Sequence, residues 1–434
     1  MSSYDAAQGP WSKIVSRERL PPAVAAPLPP AKASFTGKGK EFFRLCLRAG
    51  FFAVVTLGLY RFWFLTDVRR FLWRHSRVGA DSLEYRGTGR ELLLGFLFAL
   101  AILGPLYLGY FLLGIEAERY QALASTPFFL ILMLFGIYAS YRARRYRLTR
   151  TVFRGARFWM TGSGFNYLMR YLAWACVSLL TLGLAYPWMA ASLERYKMRN
   201  TFYGDLGGGF EGRGGSFFKR GILLWLFTIP PMIAMLILTG ALIEDGPGHA
   251  HSSSDGRLDA KAALGLSMLD LPIVMMLLGV MKGIEWRWWV EGLRFGQARV
   301  TSTLGAWFLF KEYAKCGLAM ILAVLAWAIP VGIAVGVGPY IVGPLPPVSI
   351  GGLGSLLHLP PVLYLIAAFG LAAYLLLFIL MGAVYRRFLV FGVWHKVVDS
   401  LTLHDGQVFD NVTVKGTPSG VVGEALADAL DFGF

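Results

Sequence analysis

The chain has 434 residues, of which 56% are hydrophobic and 15% aromatic, and its mean hydropathy is +0.54. This composition excludes an ordinary soluble domain and indicates an integral membrane protein. The formal net charge of +16 lies mostly in blocks beside apolar stretches, where lysine and arginine set topology and contact anionic headgroups. We therefore expect the lipid bilayer, with anionic phospholipids, as the partner, and we expect no nucleic acid.

Residues 1–34 are rich in proline and alanine and show no hydrophobic periodicity, which predicts a disordered leader. Repeat unit 1 is predicted over residues 35–154. It contains an apolar stretch from Phe42 to Trp63, a basic run, a short glycine-bounded hairpin and two apolar helices that begin near Leu92 and Pro127.

The same pattern returns in repeat unit 2, predicted over residues 155–291. A shift of 125 residues maps one copy of Thr-Leu-Gly-Leu and the tryptophan that follows it onto the other without a gap. This register makes one set of residues the candidate functional or structural motif: Thr56, Leu57, Gly58 and Trp63 in the first copy, and Thr181, Leu182, Gly183 and Trp188 in the second. A divergent unit 3 is predicted over residues 292–416, and a polar tail over 417–434.

Charge predicts which loops face the cytoplasm. The loop from Arg142 to Arg170 is rich in arginine and has no acidic residue, which places it inside. The same reasoning puts basic loops at both ends of Phe42–Trp63 and of Tyr167–Trp188, so we expect each stretch to re-enter at Thr-Leu-Gly-Leu rather than cross. Both termini are then cytoplasmic.

The predicted fold is an all-α polytopic membrane protein built from tandem repeated units of transmembrane helices. It has six crossings, two re-entrant segments and short cytoplasmic β-hairpins. The alternative is eight plain crossings, because apolar stretches of 22 residues usually span a bilayer. One hypothesis is that the recurring Gly-x-x-Phe and Gly-x-Gly pieces pair as strands in a small sheet that caps the helices.

Few polar residues are candidates for chemistry. Asp270 lies in an apolar stretch, where a carboxylate costs about 2.5 kcal/mol or more unless it is paired or faces water. It either has a proton or cation role or lies near a helix end and reaches the interface. Lys311, Glu312 and Lys315 lie one helical turn apart and are expected to pair with each other.

Four arginines in the basic runs, Arg69, Arg70, Arg195 and Arg199, either bind lipid phosphate or serve only as topology signals. Gly207 to Gly212 matches Gly-x-Gly-x-x-Gly, but no βαβ unit surrounds it, so we interpret it as a hairpin turn. Cys46, Cys176 and Cys316 lack the spacing of a metal site. The sequence therefore predicts no cofactor, no metal and no catalytic constellation.

Several motifs in order resemble one known family. These are Phe35-Thr-Gly-Lys-Gly, Thr56-Leu-Gly-Leu-Tyr-x-x-Trp, Tyr85-Arg-Gly-Thr-Gly and Gly155-Ala-Arg-Phe. Together they are similar to the YjgN-like family of bacterial inner-membrane proteins, a domain of unknown function. The resemblance covers about residues 35–416. It implies a multi-pass inner-membrane location and supplies no activity, cofactor or catalytic residue.

Two functions follow as hypotheses. The first is transport or binding of a small solute or lipid, with the repeated units around a central path. The alternative is a non-transporting envelope scaffold or lipid-organising protein with a basic cytoplasmic face. Enzymatic activity is not expected.

Overall fold

The computed structural model describes residues 30–118, 125–224, 226–227, 230, 233, 276–342, 361–410, 412–413 and 415. Its strands are β1 Ala31–Phe35, β2 Ser76–Val78, β3 Asp81–Ser82, β4 Glu84–Tyr85, β5 Thr151–Phe153, β6 Ala156–Met160, β7 Thr201–Tyr203, β8 Leu206–Phe210, β9 Leu293–Phe295, β10 Ala298–Ser302 and β11 Leu401–His404.

The helices are α1 Gly39–Val55, α2 Arg61–His75, α3 Gly89–Glu118, α4 Ser125–Thr149, α5 Gly164–Leu180, α6 Tyr186–Arg199, α9 Phe308–Val342, α10 Pro361–Tyr385 and α11 Val393–Ser400. Residues 214–224 and 276–292 are also helical and are called α7 and α8. A π-helical stretch, Arg386–Gly392, joins α10 to α11, and a short 3₁₀-helix, Gly406–Phe409, follows β11.

All eleven strands form one antiparallel sheet in the order β3-β2-β1-β11-β10-β9-β8-β7-β6-β5-β4. Its two terminal strands, β3 and β4, are separated in the chain by Leu83 alone. The amide of Leu83 donates to the carbonyl of Ser76 in β2, and the amide of Arg86 donates to the carbonyl of Arg150 beside β5. Residues 81–85 therefore act as one bent strand that pairs on both sides, and the sheet becomes a nearly closed ring.

Five segments, numbered here in chain order, build this ring, and each leads from one strand through helices to the next strand. In each, the residue after the first strand donates its backbone amide to the carbonyl of the residue before the return strand. The five bonds measure 2.8–3.1 Å and join Thr36 to His75, Arg86 to Arg150, Thr161 to Asn200, Glu211 to Gly292 and Thr303 to Ser400. The helices of all five segments therefore leave the same edge of the ring.

The other edge carries tight two-residue turns at Arg154-Gly155, Gly204-Asp205 and Gly296-Gln297. The three glycines have positive φ angles of 80°, 55° and 57°, the conformation that two-residue hairpin turns require and that glycine adopts without strain. This edge of the ring is called the turn edge.

Aromatic side chains fill the inside of the ring. The rings of Phe158 in β6 and Phe295 in β9 lie 5.9 Å apart, although two strands separate β6 from β9 in the sheet. Neighbouring strands lie about 4.8 Å apart, so this contact requires the sheet to curl around it. Phe153 and Tyr203 join the same cluster, together with Phe409 from the 3₁₀-helix.

The helix layer is held by separate apolar contacts where one segment meets the next. The contacts are Phe62 with Leu92, Tyr141 with Tyr167, Tyr186 with Phe217, Trp286 with Phe308, and Phe42 with Phe391. The last contact joins segment 1 to segment 5, so the helices also follow the ring. Burying aromatic and aliphatic side chains in this way is the main favourable term in folding.

The structure corrects the predicted fold class. An all-α protein is wrong, because eleven strands form the ring. Six crossings with two re-entrant segments, and the alternative of eight crossings, are wrong as well: within the described ranges, three helices are long and apolar enough to span a membrane. The hypothesis of a small capping sheet predicted that strands pair, but it underestimated the number of strands in the sheet. The strands have only two to five residues, too few for a period-two pattern to identify them.

Strand β1 begins at Ala31, inside the stretch assigned to the leader. The glycines of the Gly-x-Gly-x-x-Gly match also lie elsewhere than expected. Gly207 to Gly209 belong to strand β8, and the turn lies before them, at Gly204-Asp205.

Candidate membrane-binding surface

The motif Thr56-Leu57-Gly58-Leu59 forms the turn between α1 and α2. Leu57 and Gly58 have φ angles of 51° and 89°, and the amide of Gly58 donates to the carbonyl of Ala53, a bond of 2.6 Å that closes the end of α1. The Thr56 hydroxyl donates to the carbonyl of Phe52 at 2.7 Å and accepts from the amide of Tyr60 at 2.9 Å. Thr56 therefore links the end of one helix to the start of the next.

The second copy has the same local structure. Leu182 and Gly183 have φ angles of 50° and 84°. The Thr181 hydroxyl donates to Val177 at 2.9 Å and accepts from the amide of Ala185 at 3.1 Å. The tips of both turns are apolar and open, since Leu57 is 95% exposed and Leu182 is 72% exposed.

The motif tryptophans pack against the next segment. A Cβ added to Gly89, the first residue of α3, would lie 2.9 Å from the Cα of Trp63, and one added to Gly214 in α7 would lie 2.8 Å from the Cα of Trp188. Real Cβ atoms do not approach a neighbour that closely. Glycine at these positions therefore allows each helix to start directly against the preceding one.

Three of the four candidate lipid-binding arginines are held by protein groups. Arg69 is 5% exposed, and its Nη1 donates to the hydroxyl of Tyr85 at 3.2 Å. Arg70 donates to the carbonyl of Gly87 at 2.8 Å, and Arg195 donates to that of Gly212 at 3.5 Å. These arginines join a second helix to the next strand–helix corner. Arg199 is exposed.

A buried ionic cluster lies between α4, α6 and α8. Glu194 pairs with Lys197 and accepts from the indole of Trp289 at 2.9 Å. Burial alone would raise the pKa of Glu194, but Lys197, Arg144 and these hydrogen bonds hold it below its usual value. Burial lowers the pKa of Lys197. With its charges compensated in this way, the cluster ties three helices together.

A second group of bonds lies beside this cluster. The hydroxyl of Tyr186 donates to Glu285 at 2.7 Å, and Lys282 pairs with the same carboxylate at 2.5 Å. Burial and the neighbouring Glu285 raise the pKa of Tyr186. The phenol therefore stays neutral, and the lysine neutralises the carboxylate. We interpret this group as a contact that packs α6 against α8.

The outer surface of the helix layer is apolar beyond its first turns. The three candidate spans are Gly89–Leu112, Phe308–Ile333 and Pro361–Ser400. Their large apolar side chains face outward, as shown by Leu94, Leu318 and Leu365, which are 66%, 60% and 70% exposed. Exposed apolar surface of this extent marks a membrane or protein interaction site, and each span is long enough to cross a bilayer.

Five further basic side chains lie just before this apolar surface. Arg44, Arg48, Arg170, Lys219 and Lys311 are exposed residues of α1, α5, α7 and α9. A signal for them was present in the sequence, since most come one or two helical turns before an uncharged apolar run. Lys311 was predicted to pair with an acidic neighbour and Arg170 was counted only as a topology signal, while Arg44, Arg48 and Lys219 were not among the candidates because the larger arginine blocks lie in the second helices.

The predicted pairing at the start of α9 is confirmed in part. Lys315 pairs with Glu312 at 3.1 Å, and Lys396 of α11 pairs with the same carboxylate at 2.6 Å. Lys311 is exposed and does not join them. Asp270, the other candidate in an apolar stretch, lies outside the described residues.

Comparison with known proteins gives one family and several distant relatives. A family model described as "Bacterial protein of unknown function (DUF898)" matches residues 30–429. "Inner membrane protein YjgN" of Escherichia coli is 24% identical over 140 residues, and that of Salmonella typhimurium is 26% identical over 149 residues. These matches cover 32% and 34% of each chain, so each spans about a third of the relative's length. No solved structure matches.

Proposed function

Because the chain belongs to the DUF898 family of bacterial proteins, as its motifs indicated, we propose that it is an inner-membrane protein that binds phospholipid and performs no chemical step. The location comes from the relatives, whose name is that of an inner membrane protein. The observation that carries the proposal is the contrast between an apolar outer surface and a filled ring.

The apolar surface extends beyond the three candidate spans. It includes the exposed tips at Leu57 and Leu182, Leu223 of α7, and the helical residue Phe227 that follows α7. All these helices leave the same edge of the ring. A bilayer on that side would cover them together, and the ring of strands would then lie at the bilayer surface with its turn edge in water.

The filled ring favours lipid binding over passage of a solute. Phe409 lies 6.4 Å from Phe153, 5.3 Å from Tyr203 and 6.3 Å from Phe295, measured between ring centroids. The segment after β11 also binds the turn edge, where Asp410 pairs with Arg154 and the amide of Thr413 donates to Asp205 at 3.1 Å. A solute moving along the axis of the ring would have to displace all these groups.

The first experiment measures bound lipid. The full chain is extracted in a mild detergent, and native mass spectrometry counts the phospholipids that remain bound. We expect retained phospholipid, and a higher unfolding temperature when phospholipid is added back, because a ligand that binds only the folded state stabilises it. A protein that retains no phospholipid and whose unfolding temperature does not respond to added phospholipid would disprove the proposal.

A second experiment separates binding from transport. The wild type and the Phe409→Ala variant are each reconstituted in proteoliposomes. The substitution removes the aromatic side chain that touches three strands. If the ring conducts a solute, this variant should raise the flux of small ions and sugars above that of the wild type. Lipid binding predicts no flux for either protein.

A further inference from the structure

Building on the proposed function, we propose that five exposed basic side chains bind the phosphate groups of anionic phospholipids at the bilayer surface. The five are Arg44, Arg48, Arg170, Lys219 and Lys311, and together they are called the basic belt. The inference adds a ligand class and specific residues to lipid binding.

Four of the belt residues occupy equivalent places in four different segments. Arg44 lies nine residues after Phe35, the last residue of β1, and Lys219 and Lys311 lie nine residues after the ends of β8 and β10. Arg170 lies ten residues after the end of β6. Arg44, Lys219, Arg170 and Lys311 are the sixth, sixth, seventh and fourth residues of their helices. Because these helices leave the same edge of one ring and rise about 1.5 Å per residue, the four side chains start within about 5 Å of a common height above the strands.

The exposed apolar surface of the helices begins just beyond the height of these basic side chains. Phe51, 57% exposed, follows Arg48 within one helical turn of α1. Leu223, 69% exposed, lies one turn beyond Lys219, and Leu318, 60% exposed, lies two turns beyond Lys311. One turn of helix rises about 5.4 Å, so the basic groups come within reach of lipid phosphates when the apolar side chains enter the hydrocarbon.

The belt side chains form no close ion pair, although the charge of Arg48 reaches the carboxylate of Asp67. Within the part of the chain that the structure describes, none of the five lies within 4.0 Å of an acidic oxygen, whereas their neighbours Arg220 and Lys315 pair with Glu291 and Glu312. Arg170 lies over the ring of Tyr196, 5.0 Å from its centroid, which holds the guanidinium near the helix surface.

Charge selects the lipid. A phosphatidylglycerol headgroup carries a net negative charge, while a phosphatidylcholine headgroup carries a balancing ammonium. Basic residues at a membrane surface are attracted by the first and gain little from the second. The belt should therefore enrich anionic lipid around the protein without controlling the total amount of lipid bound.

The test compares two triple variants with the same loss of charge. The belt variant carries Arg44→Gln, Lys219→Gln and Lys311→Gln. The control carries Lys32→Gln, Arg77→Gln and Arg299→Gln, which are exposed residues of strands β1, β2 and β10. Each protein is placed in nanodiscs made from equal parts of phosphatidylglycerol and phosphatidylcholine, and the lipids that stay bound after transfer to detergent are identified by mass spectrometry.

We expect the wild type and the control variant to retain mainly phosphatidylglycerol. In the belt variant the preference should fall by about fivefold for each side chain removed, while total bound lipid stays similar. Equal enrichment in the belt variant and the wild type, or an equal loss in the control variant, would overturn the inference. If the wild type binds lipid without any headgroup preference, the inference about the belt is wrong, but the proposed phospholipid binding stands. If the wild type binds no lipid at all, the proposed function itself is disproved.

Discussion

Trp73 of α2 and Trp394 of α11 stack on each other, with ring centroids 4.8 Å apart and planes inclined by 25°. The indole of Trp394 donates to the hydroxyl of Ser76 at 2.9 Å, and the indole of Trp73 donates to that of Thr151 at 3.0 Å. The pair therefore joins the first, second and last segments at the base of the helices. It closes the helix layer at the place where β1 and β11 close the sheet.

Removing one of these rings should open that junction. Trp394→Ala deletes the stacked ring and the bond to Ser76, and large-to-small replacements of aromatic core residues cost about 3–5 kcal/mol. Trp394→Phe keeps part of the ring contact and should cost less. Chemical unfolding in detergent, followed by tryptophan fluorescence, measures both variants. Equal stability of the alanine variant and the wild type would show that the junction does not hold the ring.

Glycine at the start of α7 is expected to matter at one position and not at the next. Gly214→Ala places a Cβ 2.8 Å from the Cα of Trp188, while Gly215→Ala meets nothing within 4 Å. Overpacking of this kind costs about 1–3 kcal/mol. We expect a clear fall in unfolding temperature for Gly214→Ala and little change or a small gain for Gly215→Ala. A similar loss in both variants would contradict the close contact.

The two Thr-Leu-Gly-Leu turns should respond alike to the same substitution. Thr56→Val and Thr181→Val each remove a hydroxyl that bonds to both helices of its hairpin. The expected loss is about 1 kcal/mol for each variant, and the losses should add in the double variant because the turns belong to different segments. A large effect at one turn and none at the other would show that the motif serves different purposes in its two copies.

The sequence predicted some parts of this fold well. The register of 125 residues located two turns with matching dihedral angles and hydrogen bonds, because Thr, Gly and their spacing specify a local structure. Duplication as the origin of the units stays a prediction. The strands were harder to predict, because their pairing is set by partners far along the chain, as when Lys32 pairs with Thr402.

The candidate surface shows the same division between local and distant information. Arg69 and Arg70 were selected for their charge, yet their partners are Tyr85 and the carbonyl of Gly87, which lie on another element of the fold. Lys219 carries the same type of charge and was passed over. Only the arrangement of helices around the ring distinguishes a basic side chain held by protein groups from one exposed on the helix surface.

Alkaline pH should destabilise the protein through buried tyrosines. Burial is the main cause that raises the pKa of Tyr141, Tyr167 and Tyr186 above the usual value of about 10. A pKa raised in the folded state contributes stability that is present below the unfolded pKa and is lost as the pH rises through the folded value. We therefore expect stability to fall above about pH 10.

Phenolate absorbance checks this expectation. In the folded protein at pH 11, fewer than the 19 tyrosines of the chain should titrate, and denaturant should release the remainder. Complete titration near pH 10 with the fold intact would contradict the burial of these phenols.

The measurement that tests the closed ring most directly is a disulfide between its first and last paired strands. Lys32 of β1 faces Thr402 of β11 in the antiparallel register, a spacing that a disulfide can bridge. Lys32→Cys and Thr402→Cys are introduced together with Cys176→Ser, which removes the exposed native thiol, while Cys46 and Cys316 stay in place because they are buried. The closed ring predicts that mild oxidation in native membranes links the two ends of the chain, so that the fragments remain joined after proteolysis until reductant is added. Failure to form this link, when each single cysteine still reacts with a thiol reagent, would contradict the ring.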